Sequence, residues 1–396
     1  MAQGTESLGD GRRNNFDALR VTAALMVIHG HGWVLAGGPG PGLWGVPFAR
    51  VGLDVFFSIS GYLVTGSWER TPALLDFLAK RALRIFPGLI ACVLATVLVL
   101  GPLATRLPLA EYAASGGTYR YLANIALLNE LFLPGVFEGL RERGAVNGSL
   151  WSLLPEFTCY LTVPILATLT QRRGPLVRPW LLAVLAAACG GVGLYLFEGY
   201  AGPPLRIYNL DLKYALVEAP FFLVGSALRL LDGRVRDLWR ADLCLLFFLA
   251  NYAVSAWLDW WNIPLEWFTL PYMVIAFGRM SLPVAREAGR FGDLSYGLYL
   301  YAFPVQQLVL AFMPGLAYPV LTCVLLTLPL AFLSWYLVER PALRWKRLRP
   351  RPQRWREPSS RRRSRPPLPD SALGASSNVA DPVAARAGSR GPGQSA

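Results

Sequence analysis

Apolar runs long enough to cross a bilayer recur along almost the whole chain, and no other feature restricts its fold as much. A hydrocarbon core about 30 Å thick takes roughly 20 apolar residues of helix to span. Such runs lie at about 16–36, 49–67, 86–103, 150–169, 180–197, 213–231, 241–258, 263–279, 293–312 and 317–338. Backbone groups in hydrocarbon must find partners within the protein, and a helix supplies them within its own segment. The expected fold class is therefore all-α, a polytopic membrane helical bundle of about ten transmembrane helices. Only 16% of the residues are charged against 54% hydrophobic, where a soluble domain carries about a quarter charged.

Charge in the connections sets the expected orientation. Arg12 and Arg13 precede the first run. Arg70, Lys80, Arg81 and Arg84 fall between the second and third, and Arg172, Arg173 and Arg178 between the fourth and fifth. Arg234, Arg236 and Arg240, then Arg279, Arg286 and Arg290, fill two further connections; the alternate ones are poor, apart from 104–149, where Arg106, Arg120, Arg141 and Arg143 are diluted by Glu111, Glu130, Glu138 and Glu142. Lysine and arginine mark the cytoplasmic side, so this alternation predicts ten spans with both termini cytoplasmic. The apolar piece 121–134 is too short to cross and would break the alternation, so it reads as re-entrant or interfacial. The first run lacks an A-x-A-like cleavage site and reads as a retained span.

Three parts follow: a cytoplasmic leader 1–13, a transmembrane domain 14–345, and a basic tail 346–396 expected to be disordered. From Pro350 onward the tail has nine arginines against Glu357, Asp370 and Asp381. Topology thus explains the net charge of +13. It calls for membrane lipids as partners and not for nucleic acid. Five cysteines, an odd number beside apolar stretches, read as small core residues with no metal spacing.

Four stretches carry chemistry. NNFDALRVTAALMVIHGHGW holds His29 and His31, the only two histidines in the chain, with Arg20 eleven positions before His31. That spacing is roughly 16 Å of helix, about half the hydrocarbon thickness. An ionisable group inside a span marks a functional site by default; the plainer reading is an interfacial histidine bonded to a neighbouring helix. Lys80-Arg81-x-x-Arg84 puts two arginines on one helix face at a membrane mouth. Guanidinium groups bind phosphate bidentately, although topology alone also accounts for the charge. GLDVFFSISGYL offers Ser58, Ser60 and Gly61 for close helix packing, with Asp54 a buried partner or an interfacial charge. NGSLWSLLPEF puts Glu156 near the outer start of its span, at a depth like that of His31. A carboxylate beside an imidazole raises its basicity and fixes its tautomer.

These stretches resemble, in order and over about 14–345, the acyltransferase-3 family of integral-membrane O-acyltransferases. The resemblance rests on FDALR followed by His31, GLDVFFSISGYL, KRALRIFP, NGSLWSLLPEF, and LSYGLYLYAFPVQ with LVERPALR. It implies transfer of an acyl group, commonly acetyl, from cytoplasmic acyl-CoA to a hydroxyl of a cell-surface or exported glycan or glycosylated metabolite. The setting it implies is a bacterial inner membrane, with polysaccharide-assembly proteins as further partners. It assigns His31 as the base, with Arg20, Asp17 and Glu156 completing the catalytic set. It assigns donor binding to Lys80, Arg81, Arg84, Ser60 and Tyr296, with acyl-CoA as donor and no metal. The family often has a histidine where this chain has Ala302. Many relatives add an extracytoplasmic hydrolase-like domain, for which this tail is too short. With no serine or cysteine nucleophile evident beside a histidine, direct transfer is favoured over a covalent acyl-enzyme. Two other readings stand beside this one. The first is a proton-coupled transporter of a small solute or lipid-linked sugar, relaying protons through His31, Asp54 and Glu156. The second is a non-catalytic partner in polysaccharide assembly.

Overall fold

Ten long helices stand among the described residues where the apolar runs lie. The computed structural model describes residues 14–345 except 39, 142–143, 171, 173, 175, 258–262 and 317–318. The leader 1–13 and the tail 346–396 lie outside the described residues. The helices are α1 Phe16–Ala36, α2 Phe48–Arg70, α3 Leu74–Ala104, α4 Leu150–Leu169 and α5 Val177–Gly199. They continue with α6 Leu212–Leu231, α7 Ala241–Trp257, α8 Ile263–Arg279, α9 Ser295–Phe312 and α10 Pro319–Arg344. Seven of them, α1 to α6 and α10, are long and apolar enough to cross a membrane by length and composition. Their lipid-facing sides are apolar and exposed, as Leu98, Leu325 and Leu337 illustrate, and the count of about ten spans is approximate.

α3 differs from the sequence expectation. It begins at Leu74, so Lys80, Arg81 and Arg84 lie on the helix and not in a loop before it. Phe77, Ile85, Leu89 and Cys92 are buried along one face of it, which is the stripe a packed helix needs. The arginines continue that helix inward from the mouth.

Small residues bring backbones together. A Cβ on Gly61 of α2 would collide with the Phe222 carbonyl oxygen of α6, and one on Gly225 of α6 with the Ser58 carbonyl oxygen. Ser226 Oγ donates 3.2 Å to the Gly61 carbonyl across the same contact. This is the packing role expected of GLDVFFSISGYL. Asp54 is a buried partner: Arg50 Nε lies 3.1 Å from Asp54 Oδ1 and 3.0 Å from Glu218 Oε1, tying α2 to α6. The glycine- and proline-rich stretch after α1 turns through a hairpin pairing Gly42–Leu43 with Val46–Pro47, with Trp44 and Gly45 at positive φ.

Residues 105–149 hold two short helices, Leu109–Ala114 and Gly116–Tyr121, and then a 3-10 turn, Leu122–Ala126. The other described residues of this segment are largely irregular backbone, yet Leu133, Val136, Val146 and Asn147 are buried. Asn147 Nδ2 donates 2.9 Å to the Leu300 carbonyl in the middle of α9. Irregular backbone at membrane depth is tolerated where protein surrounds it. No long helix stands in this segment among the described residues.

Candidate active site

The polar side chains gather in two layers at different depths. The first lies at the end of the bundle where α1 begins. Asp293, just before α9, receives Arg84 Nη2 at 2.7 Å, Arg20 Nη1 at 3.3 Å and Ser295 Oγ at 2.5 Å. Burial pushes the Asp293 carboxyl up, but the Arg84 and Arg20 guanidinium groups outweigh it and hold it down to about 2. Arg20 also reaches Asp17 at 3.4 Å, one turn back on α1. Arg84 lies 3.8 Å from Glu339 and over the Tyr296 ring, 5.4 Å from its centre. A π turn, Trp335–Glu339, carries Glu339, which accepts 2.8 Å from Ser334 Oγ. The Tyr296 hydroxyl donates 2.7 Å to the Ile85 carbonyl and fastens α9 to α3.

Arg81 is held differently. Its Nε is buried and has no hydrogen-bond partner among the described residues. Its guanidinium lies over Phe77 and Tyr160, 5.9 and 5.7 Å from their ring centres. Lys80 precedes it, half-buried. Beside Arg81, Glu156 accepts 2.7 Å from Ser60 Oγ and a short bond from the Tyr160 hydroxyl.

The second layer is deeper. The His31 ring meets Phe303 of α9 edge-on at 5.4 Å. Arg20 to His31 is eleven residues of α1, roughly 16 Å, and Asp293 to Phe303 is ten residues, roughly 15 Å. Two helices thus give the same separation of the layers. His29, two residues from His31 and so on the other side of α1, packs against Phe48 and Trp33.

The structure joins Asp17, Arg20, Arg84 and Tyr296 in one cluster, and Ser60, Glu156 and Arg81 in its neighbour. It does not join Glu156 to His31 among the described residues. Tyr62, two residues past Ser60, stacks on Phe16 at 5.7 Å, at the start of α1. Ser60 therefore lies roughly 20 Å along the axis from His31. Glu156 belongs to the cationic layer, because α4 starts inside the bundle and not at its edge. Ser152 Oγ, one turn earlier, is already 2.5 Å from the Tyr299 hydroxyl. Among the described residues His31, Asp54 and Glu156 have separate direct partners. Ala302 is buried against Ala24, Ile28, Leu298 and Ala331 and serves packing.

Sequence reasoning missed Asp293, Glu339 and Tyr160. The signal for the first two was present, since FGD and VER flank the last two apolar runs. A carboxylate near a membrane end is ordinary until its arginine is known.

Comparison with known proteins finds relatives along most of the chain. The chain is 30% identical over 337 residues to an O-acetyl transferase of Shigella phage Sf6, covering 83% of this chain and 96% of the phage protein. It is also 30% identical over 366 residues to Nodulation protein 10 of Rhizobium leguminosarum bv. viciae, covering 84% and 94%. No solved structure matches it. The family profile described as an acyltransferase domain matches residues 13–339, which span both polar layers, and the chain belongs to this acyltransferase-3 family of membrane O-acyltransferases.

Proposed function

We propose that this enzyme moves an acyl group, acetyl in the first instance, from cytoplasmic acyl-CoA to a hydroxyl of a cell-surface or exported glycan or glycosylated metabolite. The observation that carries the reading is the separation of roughly 16 Å between the cationic layer and the His31 imidazole. Coenzyme A has this form: anionic phosphates at one end, a long thin arm, and a thioester at the other. Its phosphates stay near the Arg81 and Arg84 end, since burying them in hydrocarbon is prohibitive. The arm threads between helices to the deeper layer. His31 takes the proton from the acceptor hydroxyl while the hydroxyl oxygen attacks the thioester carbonyl carbon. The carbon–sulfur bond breaks, and the thiolate leaves with the proton that the imidazolium returns.

On this reading the start of α1 faces the cytoplasm of a bacterial inner membrane, both termini are cytoplasmic, and the acceptor arrives from the opposite side. Polysaccharide-assembly proteins would deliver such an acceptor. The test uses the full chain purified in detergent, acetyl-CoA, and envelope glycan from cells lacking the gene. The expected result is acceptor-dependent release of coenzyme A thiol, with an acetyl mass increment on the glycan. Thiol release no faster than the buffer control, with no mass increment, rules the reading out.

A further inference from the structure

Two glutamines on α9, one turn past the residue that His31 packs on, leave their amide oxygens without a hydrogen-bond partner among the described residues. Gln306 and Gln307 stand one turn past Phe303 on α9 and are 1% and 0% exposed. Gln306 Nε2 donates 2.5 Å to the Ile28 carbonyl, one turn before His31 on α1. Gln307 Nε2 donates 2.6 Å to the Ala145 carbonyl in the segment before α4. A backbone carbonyl only accepts, so each amide nitrogen must face its partner and each Oε1 is the end left over. Both Oε1 atoms are buried without a hydrogen-bond partner among the described residues, as is Ser149 Oγ nearby in sequence to Ala145. The amide of Gln306 also lies against the backbone next to His31: a Cβ on Gly32 would come within 3.2 Å of its Nε2. A buried acceptor without a donor is costly, and these two belong to side chains that reach the α1 backbone at Ile28 and the backbone at Ala145.

We propose that the Gln306 and Gln307 carbonyl oxygens form the subsite that holds the acceptor, and that they accept hydrogen bonds from hydroxyls neighbouring the one that reacts at His31. The inference rests on the transfer reading and deepens it by naming the chemistry of the acceptor. Each amide nitrogen gives one N–H to a backbone carbonyl, and the atom left without any partner is the carbonyl oxygen. The subsite therefore suits a ligand rich in hydroxyl donors, such as a sugar ring. A site built to bond a hydroxyl rejects an analogue in which that hydroxyl is capped, since the buried oxygen is then left unpaired. Gln306 and Gln307 are positioning residues: the proton goes to His31.

The test measures initial rates of the full chain in detergent against envelope glycan from cells lacking the gene, at saturating acetyl-CoA. Gln306→Met and Gln307→Met keep the length of the side chain and remove the carbonyl. Each is expected to raise the glycan concentration giving half-maximal rate by roughly tenfold. The KM for acetyl-CoA should stay near that of the wild type, while the melting temperature should fall, because the Ile28 and Ala145 carbonyls lose their amide donors. Wild-type protein is also assayed with partly O-methylated glycan, which reads the same subsite without any substitution. Methylation should raise the half-saturating concentration for wild type and much less for the Met variants. Unchanged half-saturation in both variants, or equal sensitivity to methylation in wild type and variants, overturns the proposal while leaving acyl transfer intact. Absence of any transfer by wild type overturns the transfer reading itself, and this subsite with it.

Discussion

Ser60 Oγ donates a 2.7 Å hydrogen bond to Glu156, which fixes a carboxylate of α4 against the middle of α2 and beside Arg81. That contact changes what Glu156 is expected to do. Glu156→Gln keeps an oxygen for Ser60 and Tyr160 and removes the charge. A charge next to Arg81 tunes the layer where donor phosphates would bind, so the substitution should move the KM for acyl-CoA. The alkaline and acid limbs of the rate against pH should stay where they are, because His31 is roughly 20 Å away along the axis. A shifted limb with unchanged donor KM would return Glu156 to the base.

Arg81 and Arg84 are three residues apart yet differ in what holds them. Arg84 is committed to Asp293 at 2.7 Å and Glu339 at 3.8 Å. Arg81 rests on aromatic rings with its Nε unpartnered. A phosphate therefore meets an available guanidinium at Arg81 and a competing carboxylate at Arg84. Losing one charge-assisted contact costs roughly 1.5–3 kcal/mol, so Arg81→Ala should weaken coenzyme A binding by about 10- to 100-fold. Lysine at 81 should restore only part of it, having lost the bidentate fork. Arg84→Ala leaves buried Asp293 and Glu339 with less compensation, and should show first as a lowered melting temperature, by a cost of about 3–5 kcal/mol. Calorimetric titration of coenzyme A and thermal melts on the four proteins separate these effects. Equal loss of affinity in both alanine variants, with equal melting temperatures, would contradict the asymmetry.

The positions of the spans were legible because each apolar run must be helical in hydrocarbon, and α1, α4 and α8 fall where the runs fall. The start of α3 was not, because Lys80, Arg81 and Arg84 interrupt its hydropathy while Phe77 and Ile85 keep its buried stripe. The basic residues of the cationic layer were readable from charge and spacing. Their carboxylate partners were not: Asp293 lies 273 residues from Arg20, and nothing in a single sequence ties positions so far apart. Glu156 was placed in the wrong layer for a related reason. Counting depth from the first apolar residue assumes that a span begins at the edge of the bundle, whereas Ser152, at the start of α4, already meets Tyr299 of α9.

The Asp293 carboxylate gives a pH test. Its folded-state value is about 2 against 3.8 for the ordinary carboxyl. A depressed carboxylate contributes stability that is complete above its unfolded value and is lost as pH falls through the folded one. The difference corresponds to roughly 2 kcal/mol, and Asp293 is only 12% exposed, so solvent screens little of it. The melting temperature of wild type should exceed that of Asp293→Asn at neutral pH. The gap should narrow between pH 3.8 and about 2. A gap that is already closed at neutral pH would show that Arg20 and Arg84 gain nothing from this carboxylate.

The two histidines give the sharpest contrast, because they share a helix and differ in facing. His31 packs edge-on against Phe303 in the layer that Gln306 and the 145–148 segment surround. His29 turns to Phe48 and Trp33, with its Nδ1 buried and unpartnered among the described residues. An imidazole is the side chain whose ordinary pKa lets it take a hydroxyl proton near neutral pH, and general-base assistance is worth about 10²–10⁴ in rate. His31→Ala should therefore lower acyl transfer by at least about a hundredfold while donor binding and melting temperature stay close to wild type. His31→Gln, which keeps a hydrogen-bonding group without the base, should be equally inactive. His29→Ala should retain most of the activity, because it removes packing against Phe48 and no group that reaches Phe303. Transfer rates with purified protein, normalised to coenzyme A binding, give the answer. An active His31→Gln, or an inactive but well-folded His29→Ala, would move the base to the other side of α1.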